Sequence, residues 1–555
     1  MTDRLRIALA QLNPIVGALS HNLDLARAAL RQAAEAEVDI LMFSELFLTG
    51  YFPEDLLFKP RFVEDAIAAA RQFAAETRDS SVSVILPSIW QETGALRNAV
   101  LVIENGEIVA TRIKRELPTT DVFYEQRYFT AGTLPEPVEI KGVMIGIPIC
   151  EDIWHSWVCA NLVQRGAELL LCPNGSPYWR DKQSVRMRLV RDRVAEDGVP
   201  MLYLNQVGGQ DELVFDGASF AIEPGGRVVL QGKSFAEDLI VSDWRNGPSG
   251  WTCADGHVTP LPSPEEAVWQ ACVLGLRDYV EKNGFRSVLL GLSGGIDSAM
   301  VAALAVDAFG PERVSCIMLP YRYTTPASLA DARACAEHLG VSYEVIPIGG
   351  AVDGALAELT PLFGNREPDV TEENLQSRMR GVMLMALSNK TGAMLLTTGN
   401  KSEMAVGYAT IYGDMNGGFN PIKDMLKMDV YRLARWRNGN LPEGALGPEG
   451  TVIPDTIIDK APSAELRENQ TDQDSLPPYP VLDEILTALV EEERSVEQVM
   501  ALGHERALVK RIEHLIYIAE YKRRQSAPGV KLTKKAFGLG RKYPITNGYR
   551  DGSGS

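Results

Sequence analysis

Two groups of residues in this chain have types and spacing suited to chemistry. The first is the octet Gly291, Leu292, Ser293, Gly294, Gly295, Ile296, Asp297 and Ser298, set between the apolar residues 287–290 and the helix-forming residues 299–305. A strand that breaks on small residues and re-emerges as a helix aims backbone N–H groups and a helix N-terminus at one point, which suits a polyphosphate. The loop lacks the Lys of GxxxxGK[ST], so it is not a Walker loop. It carries Ser293, Asp297 and Ser298 instead, side chains suited to phosphate oxygens and to a Mg²⁺ ion. Two adjacent glycines alone would read as an ordinary turn, but the whole octet with its flanking strand and helix reads as a nucleotide loop.

The second group is Glu45, Lys114 and Cys150. A lone Cys after an apolar run is usually a small buried hydrophobe. Here three reactive residue types fall at the ends of separate candidate strands, where α/β proteins build their sites. An amide carbonyl is a weak electrophile, so its hydrolysis benefits from a thiolate attacker, a base for the thiol proton and a cation where negative oxygen develops. Cys150 is then the nucleophile, Glu45 the base and Lys114 the oxyanion stabiliser. His155 offers a rival Cys–His pairing, but it lies five residues from Cys150 and reads as structural or exposed.

The elements that must position these groups follow from periodicity. Residues 7–10, 40–43, 82–86, 100–103, 143–147 and 169–172 read as strands and 22–36 as an amphipathic helix, which makes an α/β domain of residues 1–245. Residues 246–264 are rich in Pro, Gly and polar side chains and read as the linker. Beyond it, a helix over 265–282, the strand before the octet, a strand over 314–319, a helix over 327–339 and a strand over 342–346 give a second, βαβ domain of residues 265–555. Residues 438–480 carry seven prolines and little periodicity, and read equally as a lid or as disordered chain.

Composition narrows the partners. The chain has 555 residues, more than one core usually supports. Its 73 acidic and 55 basic residues give a net charge of -18, a surface that repels nucleic acid and anionic membranes. The basic C-terminal stretch, including Lys522, Lys534 and Lys535, is therefore read as contacting a dinucleotide phosphate or a neighbouring subunit. Seven cysteines form no C-x-x-C pair, which argues against a disulfide framework or a structural zinc site. No secretory leader or membrane span is read, and the expected compartment is the cytoplasm.

The strings FSELFLTGY, KRELPTTDVFYEQRYF and ICEDIW, around Glu45, Lys114 and Cys150, resemble the glutaminase branch of the nitrilase superfamily. That resemblance implies an αββα sandwich for the first half. It also implies that Glu125, a second acidic residue near the Lys, belongs to the glutamine-binding set with Ser176 and Lys182, in NGSPYWRDK. One position departs: the family commonly shows a Tyr two residues after the Pro of this region, where this chain has Thr120, with Tyr124 four residues later.

The octet resembles the pyrophosphate loop of the ATP pyrophosphatases, which implies a doubly wound, Rossmann-like parallel sheet and cleavage of ATP to AMP. The wider strings NLQSRMRG (374–381), residues 395–435, residues 462–486 and residues 520–550 resemble the NAD synthetases. With the front half included, the whole chain resembles glutamine-dependent NAD synthetases. The resemblance implies that glutamine is hydrolysed to ammonia and glutamate, and that deamido-NAD is adenylated by ATP and amidated to NAD. It places the octet and Thr398 on ATP, Asp297 and Glu403 on Mg²⁺, and Asn374, Glu403 and Lys522 at deamido-NAD, and it implies a homo-oligomer. Each residue has a plain alternative: Asn374 as a helix cap, Thr398 as strand filler, Lys522 on a solvated face. Two other functions stay open, another SGGxDS amidotransferase and a nucleotide-binding module with an inactive nitrilase-like half.

Overall fold

The computed structural model describes residues 3–551. The chain divides into two compact units, Met1–Gln210 with Val214–Ser263 and Pro264–Ser555 with Asp211–Leu213.

The first unit contains β1 (Arg4–Gln11), α1 (Leu19–Glu35), β2 (Ile40–Phe43), α2 (Pro60–Glu76), β3 (Ser83–Glu92), β4 (Ala95–Glu104), β5 (Glu107–Ile113), β6 (Val138–Ile140), β7 (Val143–Gly146), α3 (Ser156–Gln164), β8 (Leu169–Asn174), α4 (Lys182–Asp197), β9 (Met201–Asn205), β10 (Val207–Gln210), β11 (Leu213–Asp216), β12 (Phe220–Ile222), β13 (Val228–Gln231), β14 (Asp238–Gly247) and β15 (Gly250–Asp255). One sheet runs β15-β14-β1-β2-β3-β4-β5 and another β13-β12-β9-β8-β7-β6. The period of two along each strand builds four layers. Leu5, Ile7, Leu9, Ile40 and Met42 of the first sheet pack with Leu169, Leu171, Leu202 and Leu204 of the second. The alternate residues Ala8, Ala10, Leu41 and Phe43 pack on α1 and α2, and Leu170, Cys172, Met201 and Tyr203 pack with α3 and α4. Both faces of both sheets are covered, which is the expected αββα sandwich. It also explains why the central strands read as unbroken apolar runs.

Three boundaries differ from the sequence expectation. β7 stops at Gly146, so Cys150 does not end a strand but opens the 3-10 turn Cys150–Trp154. β2 ends two residues before Glu45. Within 246–264, β15 pairs antiparallel with β14 as an edge strand; four of its six residues are exposed, which is why no apolar periodicity marked it.

The second unit contains α5 (Pro264–Lys282), β16 (Val288–Gly291), α6 (Ile296–Phe309), β17 (Val314–Met318), α7 (Pro326–Leu339), β18 (Ser342–Val345), α8 (Gly349–Phe363), α9 (Val370–Thr391), β19 (Met394–Leu396), α10 (Lys401–Val406), α11 (Lys427–Gly439), α12 (Asp455–Asp459), α13 (Tyr479–Leu486), α14 (Val496–Met500), α15 (Arg506–Ile518) and α16 (Glu520–Arg523). Its sheet has the order β18-β17-β16-β19 with every pair parallel. The chain winds outward from β16 to β18 and then returns to the other side of β16. That reversal puts the carboxyl ends of β16 and β19 at a topological switch point, where such sheets bind ligands. α6 lies almost wholly buried, and α13 to α15 pack on α10 in a helical cluster of their own. Residues 438–480 are built around α12 and a 3-10 turn and follow the surface of the unit.

Candidate active sites

In the first unit, Lys114 stands one residue past β5, its N–H donating to Asn98 O on β4 at 2.9 Å. Its Nζ donates to Glu45 Oε1 and to Glu125 Oε1, each at 2.7 Å, and all three side chains are fully buried. The carboxylates are further held by neutral donors. Asn98 Nδ2 donates to Glu45 Oε1 (2.8 Å) and Glu125 Oε2 (3.3 Å), the Gly175 N–H to Glu45 Oε2 (3.0 Å), and Tyr51 Oη to Glu125 Oε1 (2.9 Å). Cys150 sits beside this cluster in the left-handed region, φ 47°. That conformation costs a non-glycine residue about 1–2 kcal/mol and persists only where the surroundings fix it.

Charge at this site follows from burial. Desolvation first, and then the Glu45 charge, push the Cys150 thiol well above its ordinary range, so it rests protonated and needs a base. Burial also opposes the Lys114 ammonium, but Glu125 and Glu45 outweigh it and hold the group well above the usual lysine range. Burial raises Glu125 to about 7 against the pull of Lys114, with Glu45 adding to the rise. One lysine is thus shared by two carboxyl groups, which suits a base beside a thiol and a cation held in place for an oxyanion.

Ser176 and Lys182 follow Gly175 on the segment leading into α4. Ser176 Oγ accepts from Arg186 Nε (3.1 Å), and Arg186 is ion-paired with Asp216 at 2.8 Å in the interior. Lys182 Nζ lies over the rings of Trp154 and Trp179, 5.0 and 5.3 Å from their centroids. His155 is part exposed and faces Glu116 at 3.9 Å. Thr120 and Tyr124 are both exposed.

In the second unit, the octet turns between β16 and α6. Gly294 has φ 77°, and a Cβ there would meet Ser328 O at 2.3 Å, so only glycine fits. Ser298 Oγ donates to Gly295 O (3.0 Å) and lies 3.1 Å from Ser293 Oγ, which holds the loop closed on itself. Two adjoining cavities open on it. One, of about 240 Å³, is walled by Gly291, Ser293, Arg380, Thr398 and Leu466 among others. The other, of about 210 Å³, is walled by Ser293, Asp297, Thr398, Glu403, Lys427 and Lys460 among others. Thr398 lies past the end of β19 and lines both, so it is not strand filler.

Asp297 and Glu403 converge on Lys427 Nζ, which pairs with Asp297 Oδ2 and, at 3.3 Å, with Glu403 Oε1. Asn400, the N-cap of α10, donates from Nδ2 to Asp297 Oδ1 at 3.0 Å and accepts the Glu403 N–H. Burial raises Glu403 to about 8, opposed by Lys427 and reinforced by Asp297. Asn374 and Lys522 meet elsewhere, on the loop after α10. Asn374 Oδ1 accepts from Thr410 Oγ1 (3.0 Å), and Lys522 Nζ donates to Gly407 O and Ala409 O (2.8 Å each). Asn374 lies in the second turn of α9 and Asp369 caps that helix, while Lys522 is half-buried, so neither plain alternative describes them. Residues 438–480 close over the second cavity: Glu465 accepts from Ser328 Oγ at 2.6 Å and Gln376 Nε2 donates to Leu466 O at 2.9 Å.

Sequence reading did not single out Asn98, Tyr51, Lys427, Asn400 or Arg380. Asn98 follows Arg97 in the first half of β4, outside the apolar residues 100–103 that marked the strand, so its type carried no usable signal. Arg380 donates to Leu319 O (2.9 Å), and burial lowers it to about 10.

Comparison with known proteins agrees with this geometry. A family profile described as Carbon-nitrogen hydrolase matches residues 6–245, and one described as NAD synthase matches residues 268–526. The chain is 52% identical to a glutamine-dependent NAD(+) synthetase of Rhodobacter capsulatus over 100% of both chains. It is 49% identical to that of Xanthomonas campestris over 98% of both. A solved glutamine-dependent NAD+ synthetase from Acinetobacter baumannii, in complex with adenosine diphosphate, superposes with a TM-score of 0.78 at 38% identity, covering 99% of each chain. With a buried lysine–carboxylate cluster beside a cysteine in one unit, a glycine-rich loop at a switch point in the other, and relatives matched from end to end, the chain belongs to the glutamine-dependent NAD(+) synthetase family.

Proposed function

We propose that residues 1–245 hydrolyse glutamine, that residues 246–264 connect, and that residues 265–555 use the ammonia to convert deamido-NAD to NAD with cleavage of ATP to AMP and pyrophosphate. The observation that carries the front half is the buried Glu45–Lys114–Glu125 cluster beside Cys150. Glu45 takes the Cys150 proton, the thiolate adds to the glutamine carboxamide, and Lys114 stabilises the oxyanion. The tetrahedral intermediate collapses to a thioester and ammonia. Water deprotonated by Glu45 then releases glutamate. Ser176 and Lys182 hold the amino-acid end, and Glu125 keeps the Lys114 ammonium charged.

In the rear half, a carboxylate oxygen of deamido-NAD attacks the α-phosphorus of ATP and displaces pyrophosphate. Ammonia then attacks the acyl carbon of the mixed anhydride and expels AMP. Gly291, Leu292, Ser293, Gly294, Gly295, Ile296, Asp297, Ser298 and Thr398 line the ATP site, and Asn374, Glu403 and Lys522 lie at deamido-NAD. Asp297 and Glu403 fit a Mg²⁺ ion: two carboxyl groups share one lysine at the wall of an open cavity, and Mg²⁺ is usually held by one or two carboxylates with substrate phosphates. Bound there, it would offset charge on the departing pyrophosphate.

The substrates are small molecules, and we place the protein in the cytoplasm as a homo-oligomer. No helix among the described residues is long and apolar enough to cross a membrane. Leu362, Val370 and Val382 leave apolar surface on α8 and α9, which supports self-association. The test supplies deamido-NAD, ATP and Mg²⁺ with either glutamine or ammonium. Cys150→Ala is expected to lose the glutamine-driven reaction and keep the ammonium-driven one. ADP as product, or loss of both reactions, would refute the reading.

A further inference from the structure

Lys114 and Cys150 reach the front site on two segments that share no strand, yet one buried carboxylate joins them. Asp152 Oδ1 accepts the N–H groups of Arg115 (3.1 Å) and Glu116 (2.8 Å), the two residues after Lys114. Its Oδ2 accepts the N–H of Ile149 (3.0 Å), the residue before Cys150. The side chain is 1% exposed. A carboxylate buried this deeply is retained only where donors compensate it, and here three backbone donors do so. They are divided between the two segments whose separation sets the distance from sulfur to ammonium. The left-handed Cys150 lies inside the turn Cys150–Trp154 that Asp152 itself closes.

We infer that Asp152 is a positioning residue for glutamine hydrolysis, a carboxylate clamp that fixes the Cys150 turn against the segment carrying Lys114. It acts through the backbone N–H groups of Arg115, Glu116 and Ile149. The inference rests on the glutaminase reading above, and the two can fail separately.

Asp152→Asn tests it in the full-length protein. Asn can keep its oxygen toward Arg115 and Glu116, but its NH₂ then faces the Ile149 N–H, so the Cys150 side of the clamp is released while the Lys114 side is kept. Glutamine hydrolysis is measured per reactive thiol, counted by titration with a glutamine-mimicking chloroketone. Misplacing reacting groups by about 1 Å costs on the order of 10²-fold in rate, so kcat per titrated thiol is expected to fall about that far. The glutamine KM should stay within roughly threefold, since Ser176 and Lys182 are untouched. Asp152→Glu, which restores the carboxylate on a longer stem, should recover part of kcat, and ammonium-driven NAD formation should match wild type in both variants. Wild-type kcat per titrated thiol in Asp152→Asn, or a loss of kcat matched by a rise in KM, would overturn the inference. If Asp152→Asn does not fold, Asp152→Glu alone decides: reduced kcat at unchanged KM supports the clamp and wild-type kcat refutes it. A wild-type enzyme that hydrolyses no glutamine would instead remove the glutaminase reading.

Discussion

Replacing Lys114 by Met removes the one cation between Glu45 and Glu125 and leaves two carboxyl groups buried around an apolar side chain of similar length. Both contacts are 2.7 Å and no member of the cluster is exposed, so solvent cannot take over the lost role. Removing one partner from a buried ion pair costs about 3–5 kcal/mol, because an uncompensated charge stays in the interior. At roughly 2–4 °C per kcal/mol for a unit of this size, the melting transition of the first unit should drop by about 6–20 °C. The loss should depend on pH. Burial already lifts Glu125 to about 7 with Lys114 present, and without the lysine the two carboxyls must share a proton at still higher pH. A carboxyl raised above its unfolded value means that the folded state binds more protons, so stability falls as pH rises through the window from the ordinary carboxyl range to beyond 7. The gap between Lys114→Met and wild type, read by calorimetry, should therefore be smaller at pH 6 than at pH 8, by up to about 1.4 kcal/mol per pH unit for each proton retained. An equal gap at the two pH values, or one below about 1 kcal/mol at both, would show that the cluster is not the buried charge balance inferred from these distances.

Other consequences are separable by assay. Glu45→Gln should lower glutamine hydrolysis by about 10²–10⁴-fold and leave ammonium-driven synthesis intact, and unchanged hydrolysis would remove Glu45 as the base. Asp297→Asn should impair NAD formation from either nitrogen source while glutamine hydrolysis continues, so a defect confined to glutamine would misplace the residue. Because Glu403 is raised to about 8, Mg²⁺ must displace a proton from it near neutrality. The Mg²⁺ concentration that half-saturates the ammonium-driven reaction should then fall as pH rises from 7 to 9, and Glu403→Gln should flatten that dependence.

What could be read in advance was set by periodicity and local strings. β1, β2, β8, α5 and α7 announced themselves because burial on one or both faces imposes an apolar pattern. β15 did not, since an edge strand of mostly exposed residues has no such pattern. The glycine octet was legible because backbone geometry demands small residues in series, as Gly294 against Ser328 illustrates. Glu45, Lys114 and Cys150 were legible as reactive types at element ends. Asn98, Asp152 and Lys427 were not, because each acts through hydrogen bonds or ion pairs to residues far away in sequence: Asn98 to Glu45, Asp152 to Arg115 and Lys427 to Asp297. No spacing rule encodes a partner 130 residues distant.

The two sites share one piece of charge arithmetic and differ in what surrounds it. Lys114 stands between Glu45 and Glu125, and Lys427 stands between Asp297 and Glu403, so each site gathers two carboxyl groups about one ammonium. With both carboxyls ionised, each cluster carries an excess negative charge. In the first unit the cluster is sealed at 0% exposure, so that charge can be relieved only by a proton, and in the proposed glutaminase reaction the Cys150 thiol supplies it. In the second unit the carboxyl side chains are 17% exposed and line a cavity of about 210 Å³, so relief can arrive from solution as a cation accompanying a polyphosphate. Under the proposed function, access more than residue type makes one cluster a base and the other a cation receptor. Opening the first to water, for instance by Tyr51→Ala beside Glu125, should lower the Glu125 carboxyl toward its ordinary range, because burial raises it more than the lost Tyr51 hydrogen bond lowers it, and weaken the basic character of its partner. A Tyr51→Ala variant whose glutamine hydrolysis keeps both the wild-type rate and the wild-type pH profile would show that sealing is not what sets the chemistry.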